Sequence, residues 1–349
     1  MTARAPAPPP AVAAGQAPWQ SSLGRFARAR ETGTLALVLV VFLAVTLDNK
    51  HFAGSGSIQQ LLTGASLIAL LSVGQAMVMV TRNIDLSVGS VLGLCAFVDG
   101  NLFRTEHIPV WSGFLIAIAL GAAIGAINGL ITVVVRVPSL VVTLAMLYII
   151  RGLDSKLVNG VIVVPSQVPH AFVDVGYKTL LGIPYLAIIV ALVVIIVGYA
   201  MRTFRPARDL YAIGSNPEAA LLAGIPQGRR VFTAFVTSGA LAGLGGALFL
   251  ALFAQVDNSA GVGYELNVVA AAVVGGVAIF GGSGTVVGAA LGALLLNTIQ
   301  QGLVAVRSSS FWDEAIAGAL LLLAIAFDRW LSLRVARGLK SAEGAHREL

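Results

Sequence analysis

Ten stretches of mostly apolar residues follow one another along this chain, and no other feature restricts its fold as strongly. They lie at 33–47, 58–80, 86–103, 110–135, 139–153, 180–201, 231–254, 266–282, 285–306 and 312–333. A helix needs about 20 predominantly apolar residues to cross a bilayer. Only 11% of the 349 residues are charged, against roughly 25% in a soluble domain. A soluble chain of this length would have no adequate polar surface, so lipid is its solvent. The expected fold class is an all-α polytopic transmembrane helix bundle of about ten spans, some short or broken, with both termini cytoplasmic. Short runs such as 139–153 and the Gly281-Gly282-Ser283-Gly284 ending of 266–282 are the expected breaks. Irregular backbone is tolerated at membrane depth only inside protein or beside a cavity.

The net charge of +6 does not point to nucleic acid, because the basic residues flank apolar runs instead of forming a patch. With the N-terminus placed inside, sixteen of the 22 lysines and arginines fall in cytoplasmic segments and six in outer loops. That asymmetry obeys the positive-inside rule. Residues 1–32 read as a disordered cytoplasmic tail, since Met1–Pro18 is rich in Ala and Pro and cannot bury apolar surface. A cleaved leader is not expected: the first apolar run is followed by Asp48, Asn49, Lys50 and His51, not by small residues. Residues 33–335 form the transmembrane domain, 202–230 an inner loop within it, and 336–349 a cytoplasmic tail. The 39 glycines, dense over 121–129 and 275–292, are expected to serve close helix packing, with the lining of a flexible pore as the alternative.

The inner loop carries information of its own. Asn216 is a favoured N-cap, Pro217 suits the first helical position, and Glu218 complements the positive end of the helix dipole. Gly224 stands where a left-handed residue ends a helix. These signals predict a two-turn helix over about 217–223. Its middle residues, Ala219, Ala220, Leu221, Leu222 and Ala223, are apolar yet outside the membrane. So short a helix is marginal alone, so either the bundle's own helix ends or a grooved cytoplasmic partner covers it. Small side chains at Ala219 and Ala220 would let such a partner approach closely.

Chemistry inside the chain is sparse. None of the four lysines follows a glycine, so there is no Walker A loop, and ATP hydrolysis by this chain is not expected. The four histidines and single cysteine show no metal-ligand spacing, so no metal or cofactor site is expected. Asp85 reads as a helix-start acid or as the partner of Arg82 in a cytoplasmic gate, and Asp99 as the outer end of its span. The neutral polar residues Gln75, Asn128, Thr143, Asn297, Gln300 and Gln301 either bond neighbouring helices or line a path for an uncharged solute.

Four stretches together carry a resemblance: Thr81-Arg-Asn-Ile-Asp-Leu-Ser-Val-Gly-Ser90, Val137-Pro-Ser-Leu-Val-Val-Thr-Leu144, Tyr211 to Ile225, and Gly263-Tyr-Glu-Leu266 with Gly275-Gly276 and Gly281-Gly282-Ser283-Gly284. From about residue 35 to 335 the chain resembles the permease subunits of bacterial ATP-binding-cassette importers for ribose, xylose, rhamnose and the quorum-sensing autoinducer sugar. The resemblance implies an inner-membrane location and makes 211–225 the coupling segment that sits in a cleft of an ATPase subunit. It also implies two ATPase domains binding ATP and Mg, a second permease (identical or paralogous), and a periplasmic or lipoprotein sugar-binding protein. Arg82-Asn83 stands where ribose permeases show Gly-Gly, which leans toward the rhamnose and autoinducer branch. Rhamnose is the preferred substrate, with ribose, xylose or the autoinducer sugar as alternatives. An ion-coupled secondary sugar transporter and a membrane scaffold are the rivals from other classes, and a shortage of intramembrane acids argues against the first.

Overall fold

The computed structural model describes residues 18–306, with side chains from residue 31, and scattered positions between 312 and 326. The predicted span 312–333 and the tails 1–17 and 336–349 lie outside the described residues. Among the described residues up to 306, twelve α-helices follow in order: α1 (Pro18–Asp48), α2 (Ser55–Met79), α3 (Val88–Glu106), α4 (Val110–Leu130), α5 (Ser139–Val158), α6 (His170–Tyr177), α7 (Tyr185–Thr203), α8 (Arg205–Ser215), α9 (Pro217–Leu222), α10 (Gln227–Phe253), α11 (Tyr264–Val274) and α12 (Val286–Ala305). A hairpin of β1 (Thr179–Leu180) and β2 (Ile183–Pro184) precedes α7. Its turn places Leu181 and Gly182 at positive φ, the geometry that matches strand twist.

Six of these helices, counting α4 with its π-helical extension to Val135, are long and apolar enough to cross a membrane. The helices α3 and α5, 19 and 20 residues long, match the predicted runs 86–103 and 139–153. Two expectations need correction. The boundary drawn at residue 32 is no break, because α1 runs continuously from Pro18. The predicted span 266–282 is only half helical: α11 has 11 residues, about 16 Å at 1.5 Å each, and Gly275–Thr285 continues as irregular chain.

Antiparallel succession sorts the helix ends into two groups. One end gathers Arg82, Arg136, Arg202, Arg205, Arg208, Arg229 and Arg230. There Thr285 Oγ1 donates to Glu31 Oε1 at 2.5 Å and Arg202 lies 3.7 Å from the same oxygen, tying α12, α1 and α7. The opposite end carries the hairpin, α6 and the loop 254–263.

Helices α2 and α10 form the buried centre, with α10 packed on α2, α3 and α4. The tightest crossing joins α4 to α10 through Gly121, Gly125, Gly239 and Gly243. A Cβ on Gly121 would enter the Gly239 carbonyl, and one on Gly239 would enter the Gly121 carbonyl. Small residues spaced four apart allow this approach, in which dispersion and not hydrophobic drive holds helices together in lipid. Gly239→Leu is therefore expected to destabilise the bundle by about 3 kcal/mol. Thermal unfolding in detergent measures it. Gly152→Ala, whose added Cβ meets nothing within 4 Å, should instead stabilise by about 0.5–1 kcal/mol.

Candidate functional site

Between α2 and α3 the chain abandons helix for a strap, residues 80–87, at the arginine-rich end, with Arg82 exposed and Val80, Thr81, Asp85 and Ser87 buried. Arg82 adopts a left-handed φ of 69°. Its Nε donates to the Gly214 carbonyl at 2.6 Å and its Nη2 to the Ser215 carbonyl at 2.9 Å. These are the last carbonyls of α8, immediately before α9. Gly282 closes the joint by donating its N–H to the Val80 carbonyl at 2.9 Å. A Cβ on Gly214 would collide with both Val80 O and Gly282 N, so only glycine fits there.

The strap's other end is pinned in the core. The Ile84 N–H donates to Ser139 Oγ at 3.2 Å, and Thr143 Oγ1 donates to the Ile84 carbonyl at 3.2 Å. Asp85, 1% exposed, accepts the N–H and hydroxyl of Ser87 on Oδ1 and the Ser238 hydroxyl on Oδ2 at 3.1 Å. Asn128 donates to Ser87 Oγ at 2.9 Å. Ser238 lies eleven residues into α10, about 16 Å along its axis. The network thus joins the strap to α4, α5 and α10 deep in the bundle.

The predicted residues divide accordingly. Arg82 and Asp85 do not pair: the guanidinium turns toward α8 and the carboxylate toward Ser87 and Ser238. Asp85 is not in the first turn of α3, whose N-cap is Ser87. Asn128 and Thr143 meet in the Asp85 network, while Asn297 bonds the Leu61 carbonyl at 2.8 Å and clamps α12 on α2. Gln75 is fully buried on α2 with neither amide atom bonded. Gln300 is half-buried and apart from the others. Asp99 is not at an exposed helix end but fully buried, well inside α3. Ser87, Ser139 and Ser238 were not anticipated. The first two stand inside the motifs quoted above, whereas nothing adjacent to Ser238 marks it.

The inner-loop helix has its predicted caps. Asn216 Oδ1 accepts the Ala219 N–H at 3.0 Å, and Gly224, at φ 74°, donates to the Leu221 carbonyl while Ile225 donates to that of Ala220. That pair of bonds is a Schellman C-cap. Gln227 Nε2 donates to the Pro217 carbonyl, and Arg230 grips Asp209 at 2.9 Å, fastening α9 between α8 and α10. The Tyr211 phenol on α8 is pushed up to about 12 by burial. One expectation fails: Ala220 is 4% exposed and faces the bundle, so it cannot meet a partner. The outward residues are Glu218, Ala219, Leu221, Leu222 and Ala223, with Leu221 68% and Leu222 89% exposed.

A bundle of long apolar helices whose backbone is interrupted at its arginine-rich end is a multi-pass membrane protein. The particular family is also clear. A family model described as the permease component of the branched-chain amino acid transport system matches residues 57–325, and the chain belongs to this family. It is 34% identical over 300 residues to the autoinducer 2 import system permease protein LsrC of Enterobacter sp. (strain 638), covering 86% of each chain. It is 32% identical over 321 residues to the L-arabinose ABC transporter permease protein AraH of Azospirillum brasilense, covering 92% of this chain and 94% of that one. LsrC of Photorhabdus luminescens shares 32% over 301 residues, 86% and 89% of the two chains. No solved structure matches. These names carry the resemblance as far as sugar-type importers and lend rhamnose no particular support.

Asp85→Ala would strand the Ser87 and Ser238 donors in the core, with an expected loss of about 2–3 kcal/mol. Asp85→Asn keeps an acceptor oxygen and should lose less than about half of that. Thermal unfolding of the two purified variants makes the comparison.

Proposed function

We propose that the chain is the permease subunit of an ATP-driven bacterial importer of a small neutral sugar or of autoinducer 2. The observation that carries this reading is α9: a rigidly capped stub with two bare leucines at the arginine-rich end, fastened by its neighbours to a strap that enters the core. A short helix bearing Leu221 and Leu222 to solvent has the form of one that fits a groove on another protein. The partner is an ATPase subunit that binds ATP and Mg. The substrate class follows the autoinducer 2 and L-arabinose permeases among the relatives. Rhamnose, ribose and xylose stay within that class.

The topology that accompanies this reading has ten crossings of the bacterial inner membrane, counting α11 with 275–285 as one and the run 312–333 as the last. Both termini and α9 are cytoplasmic. A second permease, identical or paralogous, completes the path, and a periplasmic or lipoprotein binding protein delivers the solute. In this mechanism ATPase closure moves α9, α8 moves with it, and Arg82 passes the displacement to the strap and the Asp85 network.

Reconstitution with and without the ATPase tests the reading. Vanadate-sensitive, sugar-stimulated uptake should require the ATPase, and ion-driven uptake by the chain alone would discard the proposal. Leu222→Asp should weaken ATPase association about tenfold or more, equivalent to about 1.4 kcal/mol, without changing thermal stability. Gly224→Val and Arg82→Gln should each leave ATPase activity running while uptake per ATP falls at least about fivefold, a partial break in a coupling of about 1 kcal/mol. Unchanged uptake per ATP in both variants would remove α9 and Arg82 from the transmission path.

A further inference from the structure

The end opposite α9 holds polar chemistry that the coupling mechanism does not use. A pocket of about 300 Å³ opens there between the end of α10, the loop 254–263 and the start of α11. Phe249, Phe253 and Tyr264 supply its aromatic lining, with ring centroids 4.5 Å apart for Phe249 and Phe253 and 6.2 Å apart for Phe249 and Tyr264. Gln255, Asp257 and Ser259 supply its polar lining. Asp257 Oδ1 accepts the Ser259 N–H at 2.8 Å and hydroxyl at 2.6 Å, which fixes the carboxylate.

The loop is held as a preformed wall. Val163 and Val256 exchange backbone hydrogen bonds of 3.0 and 3.2 Å, and Arg151 Nη1 on α5 donates to the Ala260 carbonyl at 2.6 Å. Gly261, at φ 70°, packs directly on the Gly89 carbonyl of α3. Behind this wall sit charged groups with spare bonding capacity. Asp154 is 1% exposed with neither carboxylate oxygen bonded, and Arg151 Nη2 and Glu265 Oε2 are likewise buried and unbonded. Asp154 and Glu265 both lie within electrostatic reach of Arg151, and buried ionisable groups in a lipid-embedded bundle are costly and mark functional regions.

We propose that this pocket is a binding site on the permease itself for a neutral polyhydroxyl ligand the size of one sugar ring. The ligand class rests on the sugar-permease reading above, and the lining chemistry narrows it. Aromatic faces cover the C–H surfaces of a sugar ring, and the amide, hydroxyl and carboxylate exchange hydrogen bonds with its hydroxyls. Among the described residues no lysine, arginine or histidine lines the pocket. An anionic sugar, or the carboxylate of an amino acid, finds no cation there. The volume lies at the small end for ligand sites, which suits a single ring and not an oligosaccharide.

Saturation-transfer NMR on the purified full-length chain in nanodiscs tests the site, with L-arabinose, D-ribose, L-rhamnose and autoinducer 2 as probes and L-leucine as the control. At least one probe should show saturable transfer to its ring C–H protons, and leucine should neither show transfer nor compete. Phe253→Ala and Gln255→Ala alter exposed residues, and each should cut the signal at least fivefold with thermal unfolding unchanged. A sugar signal equal in wild type and both variants overturns the site, as does competition by leucine or no signal from any probe. The two readings fail separately. ATP-driven uptake of a sugar that gives no signal on the chain removes this site and leaves the permease reading standing. A Phe253-dependent signal without ATPase-dependent uptake does the reverse.

Discussion

In lipid no water satisfies the backbone, so every N–H and C=O that leaves a helix must find a partner within the protein. This bundle interrupts its helices twice at one end, at 80–87 and 275–285, and solves both breaks together. Gly282 donates to Val80, Ala278 donates to Ser283 at 3.0 Å, and Ser139 and Thr143 receive and supply the bonds of Ile84. The partners come from α5, from α8 and from the second break itself. Neither interruption is stable without the others, so the position of α8, and of α9 beyond it, follows from how the strap is satisfied.

The same requirement gives glycine two opposite duties. At the α4–α10 crossing, Gly121, Gly125, Gly239 and Gly243 let two regular helices touch backbone to backbone, which makes a stiff block. At the strap, Gly214, Gly281 and Gly282 let two irregular segments meet the last turn of α8, the latter two with positive φ values of 82° and 78°. Arg82 is the exception. It holds a left-handed φ that glycine would adopt freely and that costs another residue roughly 1–2 kcal/mol. Its guanidinium makes two hydrogen bonds to carbonyls of α8, and bonds from a charged donor contribute about 1.5–3 kcal/mol each. The bonds outweigh the strain. The two bonds tie the strap directly to the last turn of α8.

Features set by local chemistry were legible in the sequence. The caps of α9 follow from Asn216, Pro217 and Gly224, which act within their own turn, and the long spans follow from apolar length alone. Features set by distant partners were not. Arg82 and Asp85, three residues apart, invite an ion pair on paper, but Ser238 and Gly214, 153 and 132 residues away from them, take the two side chains in different directions. The helix α11 stops at Val274 because Gly275, pressed against Gly288 of α12, begins an irregular stretch. Hydropathy cannot register that, since the residues beyond remain apolar. Ala220 and Ala219 look alike in sequence, and only the docking of α8 against the bundle turns one inward.

Acidic residues give the sharpest case. A scarcity of intramembrane acids is the sequence argument against ion-driven transport, and the structure adds where the acids lie. Asp85, Asp99 and Asp154 are all buried, Asp99 well inside α3 although the sequence places it at the outer end of its span. The distinction rests instead on how the acids are used. Asp85 is saturated by serine donors and serves the strap, Asp99 stands alone on α3, and Asp154 lies beside Arg151 at the opposite end from α9. Among the described residues no three acidic, histidine or cysteine side chains gather where they would hold a metal ion. Asp154 and Glu265 gather with Arg151 behind the loop 254–263, whereas Asp85 serves the strap at the other end. The mechanical link from α9 through Arg82 is continuous. That path runs within the protein from the arginine-rich end to Asp85 and Ser238 in the core.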